Sequence, residues 1–182
     1  MPTLTQVERK FILHWGEMGT RWGINRTVAQ VHALLYLAPR PLNAEEIAQT
    51  LSVARSNVST SLRELESWRI VKPVHLLGDR REHYETMMDV WEMFRIIVEE
   101  RKRRELDPTL ELLRSCVAEL DQAESPTRER LLVMLDFFET MTSCYDEVRG
   151  MPVSALQKLV KMKGKITKLL GVKTAAPART PK

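Results

Sequence analysis

The chain has 182 residues, 43% hydrophobic and 29% charged, with a formal net charge of +4; that length suits one domain, or a small domain with a helical extension, and seven glycines are few for a turn-dense all-β fold. No apolar run approaches the roughly 18 residues of a membrane span, and "MPTLTQVERK" lacks a basic start followed by an apolar core, so neither a membrane contact nor a signal peptide is expected. Residues 151–182 hold eight Lys or Arg and no acid, while residues 1–150 hold 20 basic and 24 acidic residues, a balance of −4; the basic character belongs to the C-terminal end and is weak evidence about the body's partners.

Helical periodicity begins at once. Val7, Phe11, Trp15 and Met18 recur at three- and four-residue steps after a cap at Thr3 or Thr5, and Gly19 and Gly23 end this helix. A second helix runs from about Asn25 to Ala38 with Val28, Val31, Leu34 and Leu35 inward, and "APRPL" forces an extended link. Asn43 followed by Glu46 opens a short third helix, "NAEEIAQTL", as a capping box. Ser52 is expected to cap a fourth, "VARSNVSTSLRELESW". After Trp68 the pattern changes to "IVKPVHLL" and "EHYETMM", two short strands joined through Gly78-Asp79, with Pro73 suited to an edge.

From Asp89 the chain reads as helix again, through "EERKRRELD" to Pro108. Leu106, Leu110, Leu113, Val117 and Leu120 then hold a 4-3-4-3 seam. Ser125 and Pro126 restart a helix whose seam is Leu131, Leu135, Phe138, Thr142 and Tyr145, up to Gly150. An amphipathic helix over residues 153–170 is expected to pack on a partner chain, and the last ten residues lack periodicity. Cys116 and Cys144 have no ligand spacing and read as buried, reduced thiols.

Helix, helix, link, helix, helix, strand, wing, strand is the order of a winged helix-turn-helix. The expected fold is therefore mainly α with a small β-wing and long N- and C-terminal helices for dimerisation. Its expected parts are a DNA-binding domain over residues 1–88, a helical dimerisation and regulatory region over 89–170, and a disordered basic tail over 171–182.

On a helical projection of about 100° per residue, the fourth helix turns Val58, Leu62 and Leu65 inward with Ala54 close by. Ser56, Thr60, Arg63 and Ser67 face outward, flanked by Asn57 and Ser59. Short hydroxyl and amide side chains let a helix approach a major groove and bond to phosphates and base edges. Arg55 and Ser56 place the positive helix end toward phosphate. The hairpin "GDRREHY" needs Gly or Asp for its turn but does not need Arg80 and Arg81, which beside such a helix would follow the flanking minor groove. Asp79 is placed to hold one arginine or to accept backbone bonds in the turn.

The stretch "LNAEEIAQTLSVARSNVSTSLRELESWRIVKPVHLLGDRREHYET" resembles the DNA-binding core of MarR-type regulators. "NVSTSLRELESWRIVK" and "GDRREHYE" are closest to the GbsR-like branch, whose known members control glycine betaine and choline metabolism. The resemblance spans about residues 4–90, with a D-x-R wing motif on Asp79 and Arg81. It implies a dimeric winged-helix repressor in which Arg81 is the wing arginine and Ser56, Asn57 and Thr60 are recognition-helix contacts. It also implies release by an effector that changes the separation of the two recognition helices.

Trp15, Trp22, Tyr36, Trp91 and Phe94 could form an aromatic cage for a quaternary ammonium effector such as choline or betaine, with ordinary core packing as the competing reading. No catalytic set, metal-ligand spacing or phosphate loop occurs, so no enzyme activity, metal or cofactor is expected. The expected protein is cytoplasmic and nucleoid-associated, a homodimer on double-stranded DNA. The alternatives are a winged-helix protein-interaction module and a nonspecific architectural DNA binder.

Overall fold

The computed structural model describes residues 4–120 and 125–162. The tail expected at 171–182, the far half of the helix expected at 153–170, and Thr3 lie outside these residues.

Helix α1 (Gln6–Arg21) is capped by Thr5: its hydroxyl accepts from the Glu8 amide, and the Glu8 carboxylate accepts from the Thr5 amide at 2.7 Å. Packing begins at Phe11 and Ile12; Val7, expected on the inner stripe, is 78% exposed. Gly19 does not end the helix. It is buried within α1, and a Cβ there would lie 2.6 Å from the Ala29 Cβ of α2 (Arg26–Leu37). The glycine is required because the two backbones cross too closely for a side chain. Gly23, at φ +75°, makes the turn that follows, and Asn25 caps α2 through its side chain. Val28, Val31, Leu34 and Leu35 of α2 are all buried.

The link after α2 contains β1 (Leu42–Asn43), which pairs antiparallel with β3 (His83–Thr86). Asn43 also caps α3 (Ala44–Leu51), accepting from the Glu45 and Glu46 amides while Glu46 bonds back to the Asn43 amide. Ser52 does not cap the next helix. It ends α3 in the left-handed region at φ 55°, and α4 (Arg55–Ser67) starts three residues later with Ala54 at its N-cap. Ala54 is exposed, so it does not join the inward face. Strand β2 (Val71–Val74) pairs with β3 in the register Val71–Thr86 to Val74–His83, giving the sheet order β1-β3-β2. Helix α5 (Val90–Arg101), capped by Asp89, buries Met93 in the same core.

The backbone divides into two compact units, Met1–Arg104 and Glu105–Lys182. Through Met93, Ile96 and Ile97, helix α5 packs into the first. The division falls inside a π-helical turn, Lys102–Leu106. Pro108 explains that turn, since it has no amide proton and its ring collides with the carbonyl four residues earlier, at Arg104, so the ordinary ladder widens.

In the second unit α6 (Asp107–Glu119) buries Leu110 and Leu113, and its Arg114 pairs with Glu139 of α7 (Pro126–Gly150) at 2.8 Å. The seam residues Leu131, Leu135, Phe138, Thr142 and Tyr145 are half-buried, but no residue of α7 is fully buried. Helix α8 (Val153–Lys161) follows. Cys116 is half-buried and Cys144 exposed, both as free thiols, which corrects the expectation that both are buried. Among the described residues no helix is long and apolar enough to cross a membrane.

Candidate nucleic-acid interface

Helix α4 has one apolar side and one polar side. Val58, Ser61, Leu62 and Leu65 are buried. Arg55, Ser56, Asn57, Ser59, Thr60 and Arg63 are all exposed. None of these six side chains makes a hydrogen bond or ion pair within the described chain, so each has its full bonding capacity for a partner. Ser67 is exposed too, but its hydroxyl donates to the Glu64 carbonyl at 2.7 Å.

The N-terminal end of α4 differs from those of α1, α2, α3 and α5, which are closed by Thr5, Asn25, Asn43 and Asp89. Ala54 has no side-chain oxygen, so the first amides of α4 remain uncapped at the positive end of the helix dipole. The two carboxylates on this helix sit at its far end. Glu64 pairs with Arg104 at 3.6 Å, and the carboxyl of Glu66 is pushed up by burial and then by nearby Glu82.

Beyond β2, the amide of Asp79 donates to the Leu76 carbonyl at 3.1 Å, closing a turn with Gly78 at φ +85°. A positive φ at the third position belongs to glycine. Asp79 then binds Arg81 three ways: its carboxylate accepts from the Arg81 amide at 3.0 Å, from Nε at 2.9 and 3.1 Å, and from Nη2. The buried His83 closes the network, its Nδ1 lying 3.0 Å from the Arg81 carbonyl. Hydrogen bonding to Arg81 holds the Asp79 carboxyl well below the usual carboxylate range, and Asp79 in turn raises the Arg81 guanidinium. The charge of Arg81 is thus already matched. Arg80 next to it is exposed and makes no ion pair among the described residues.

The five aromatic candidates do not converge on one site. Trp15, Trp22 and Phe94 line a cavity of about 140 Å³ with Trp68, His32 and Ile97. Trp15 and Tyr36 line a second, of about 190 Å³. Trp91 lines neither and is 38% exposed. Two buried polar atoms of residues lining the first cavity, His32 Nε2 and Trp68 Nε1, have no hydrogen-bond partner among the described residues. Buried polar atoms are nearly always paired, so this wall is unusual. Burial lowers the His32 pKa to about 4, which leaves the ring neutral at pH 7. Nothing in the sequence marks His32 or Trp68 for a role here, because the loss of a partner depends on tertiary surroundings.

Three antiparallel strands, a helix-turn-helix from α3 into α4, and a hairpin wing make the first unit a winged helix-turn-helix. Residues 22–82 match the model of the MarR family. Over 91 residues the chain is 25% identical to YvaV of Bacillus subtilis (strain 168), named as an inferred HTH-type transcriptional regulator. That match covers 50% of this chain, which spans about half (51%) of YvaV. A crystal structure of a transcriptional regulator superposes with a TM-score of 0.62 at 21% identity, over 79% of this chain and 96% of that one; the likeness is one of fold.

Proposed function

We propose that this protein is a sequence-reading DNA-binding transcriptional regulator that acts as a homodimeric repressor of the GbsR-like kind in the cytoplasm. One observation carries the reading: α4 offers six unengaged polar or cationic side chains and an uncapped positive end. The role named for YvaV supports it. In use, Ser56, Asn57 and Thr60 reach base edges in the major groove, Arg55, Ser59 and Arg63 contact phosphate, and the wing lies at the minor groove. Leu132, Val133, Phe137 and Met141, exposed along α7, supply an apolar surface for a second copy. Two subunits then read half-sites about one helical turn apart.

The test is fluorescence anisotropy on the DNA upstream of the protein's own gene, against scrambled DNA, across a salt series. Selective binding is expected, with log affinity falling steeply against log salt. Replacing Arg80 with Ala should reduce that slope by about 0.9 per lost phosphate contact. Arg81→Ala should weaken binding to both DNAs at least as much, because the change leaves the Asp79 carboxylate unmatched beside the phosphates. Equal, weak binding to both DNAs would abandon sequence reading for a nonspecific architectural role, and no binding at all would leave a protein-interaction module.

A second reading concerns release. The cavity bounded by Trp15, Trp22 and Phe94 fits a small quaternary ammonium effector such as choline or betaine. The supporting observation is the pair His32 Nε2 and Trp68 Nε1, which could bond to the effector's oxygen while the neutral imidazole adds no repelling charge. Calorimetry with choline and with betaine at millimolar concentration should give a binding heat that Trp15→Ala removes. No heat with either ligand would end the effector reading and leave the cavity as a packing defect.

A further inference from the structure

The wing ends in an apolar point. Turn tips are ordinarily Gly, Asn, Asp or Ser, but Leu76 and Leu77 stand here, and Leu77 is 107% exposed, free of its surroundings on every side. Single exposed leucines are common on protein surfaces. What separates this one is how firmly it is held. It precedes Gly78 in the turn closed by the Asp79 amide on the Leu76 carbonyl. Asp79 is fixed by four contacts from Arg81, whose carbonyl is fixed in turn by the buried His83. The side chain is therefore presented by a braced loop, and little ordering remains to be done when a partner arrives.

The surroundings indicate the partner. Asp79 is matched by Arg81, the exposed Glu82 accepts from the Tyr84 hydroxyl at 2.9 Å and keeps its charge, and Arg80 makes no ion pair among the described residues. An apolar tip beside a free cation suits a polyanion with an apolar interior close behind its charges, which describes the base stack beneath a DNA minor groove. Proteins that enter that groove insert leucine and similar wedges between base steps, unstacking and bending the duplex.

We infer that Leu77 is a wedge: it enters the minor groove beside the helix-bound site, opens a base step, and bends the DNA, with Arg80 on the flanking phosphates. This rests on the DNA-binding reading above. The opened step should be pyrimidine–purine, TA or CA, because those steps unstack most easily. The wing would then contribute sequence preference through deformability without reading a base edge.

The experiment uses the full chain and duplexes it selects from a random-sequence library, labelled at both ends for energy transfer. Wild type should shorten the end-to-end distance on binding and prefer TA or CA under the wing. Leu77→Ala should still bind within several-fold, yet lose at least half of the distance change and the step preference. Leu77→Phe, which restores an apolar wedge, should recover both. Being fully exposed, residue 77 can be changed without disturbing the core. If wild type selects a sequence and binds it straight, or if Leu77→Ala bends it equally, the wedge is overturned while the regulator reading stands. If the library yields no selected sequence, the regulator reading fails first.

Discussion

Replacing Asn57 with alanine is expected to lower affinity for the selected DNA by about 5- to 150-fold, the roughly 1–3 kcal/mol that one good bidentate base contact discriminates. Binding to random DNA should hardly change. Asn57 lies in the first turn of α4, is exposed, and makes no side-chain hydrogen bond within the described chain. Its amide pairs with both the N7 and the 6-amino group of adenine, so the loss should concentrate at one adenine in each half-site. Unfolding cannot imitate this result. Alanine is the better helix former by about half a kcal/mol, no cap is removed, and the melting temperature should hold or rise. The measurement is anisotropy with the selected duplex, the same duplex with that adenine exchanged, and a scrambled one. Equal loss on all three would make Asn57 a phosphate contact that carries no sequence information.

The residues behind that prediction were legible because their signals are local. A capping box needs only four consecutive residues, so Asn43–Glu46 could be read directly, as could the inward face of α2, whereas Thr3 and Thr5 both suit the first cap until the Glu8 contacts place it at Thr5. Signals that depend on a crossing chain were not legible. Gly19 looks like a helix stop until α2 brings Ala29 against it. Ser52 looks like an N-cap, but the left-handed turn after Leu51 uses it to end α3 and leaves Ala54 at the start of α4. Strand β1 has two residues, too few for any alternation, and exists only through its pairing with β3. In the wing, "DRR" places two arginines side by side, yet their difference is the central fact of the site. The arginine two residues after Asp79 closes the Asx turn and is neutralised, while the one between stays free.

His32 shows what burial does to a titratable ring. It is 5% exposed between Trp15 and Tyr36, at ring-centroid distances of 6.3 and 6.4 Å, with Nε2 unpartnered. Its pKa falls from 6.5 to about 4, through desolvation. The unfolded chain therefore takes up this proton first as pH drops. Stability should be whole above pH 6.5, fall as pH moves from 6.5 toward 4, and level off below, with His32 responsible for a loss of about 3 kcal/mol. The carboxylates held low by partners, Glu8 by Thr5, Glu46 by Arg40 and Asp79 by Arg81, act in the same direction. Their windows begin below 4.5, so the upper part of the fall belongs to the imidazole. Glu66, raised by burial, acts in the opposite direction, gaining rather than losing stability as it protonates. Urea unfolding of wild type and His32→Phe at intervals from pH 7 to 4 separates these contributions. The phenylalanine variant keeps a ring between its two neighbours and has nothing to protonate. It should be at least as stable as wild type at pH 7, since it removes a buried polar atom whose lack of a partner costs about 1–3 kcal/mol. Between pH 6.5 and 4.5 its stability should be nearly flat while that of wild type declines. Parallel declines would mean that His32 is solvated or partnered in solution, and the cavity wall it shares with Trp68 would then be wet.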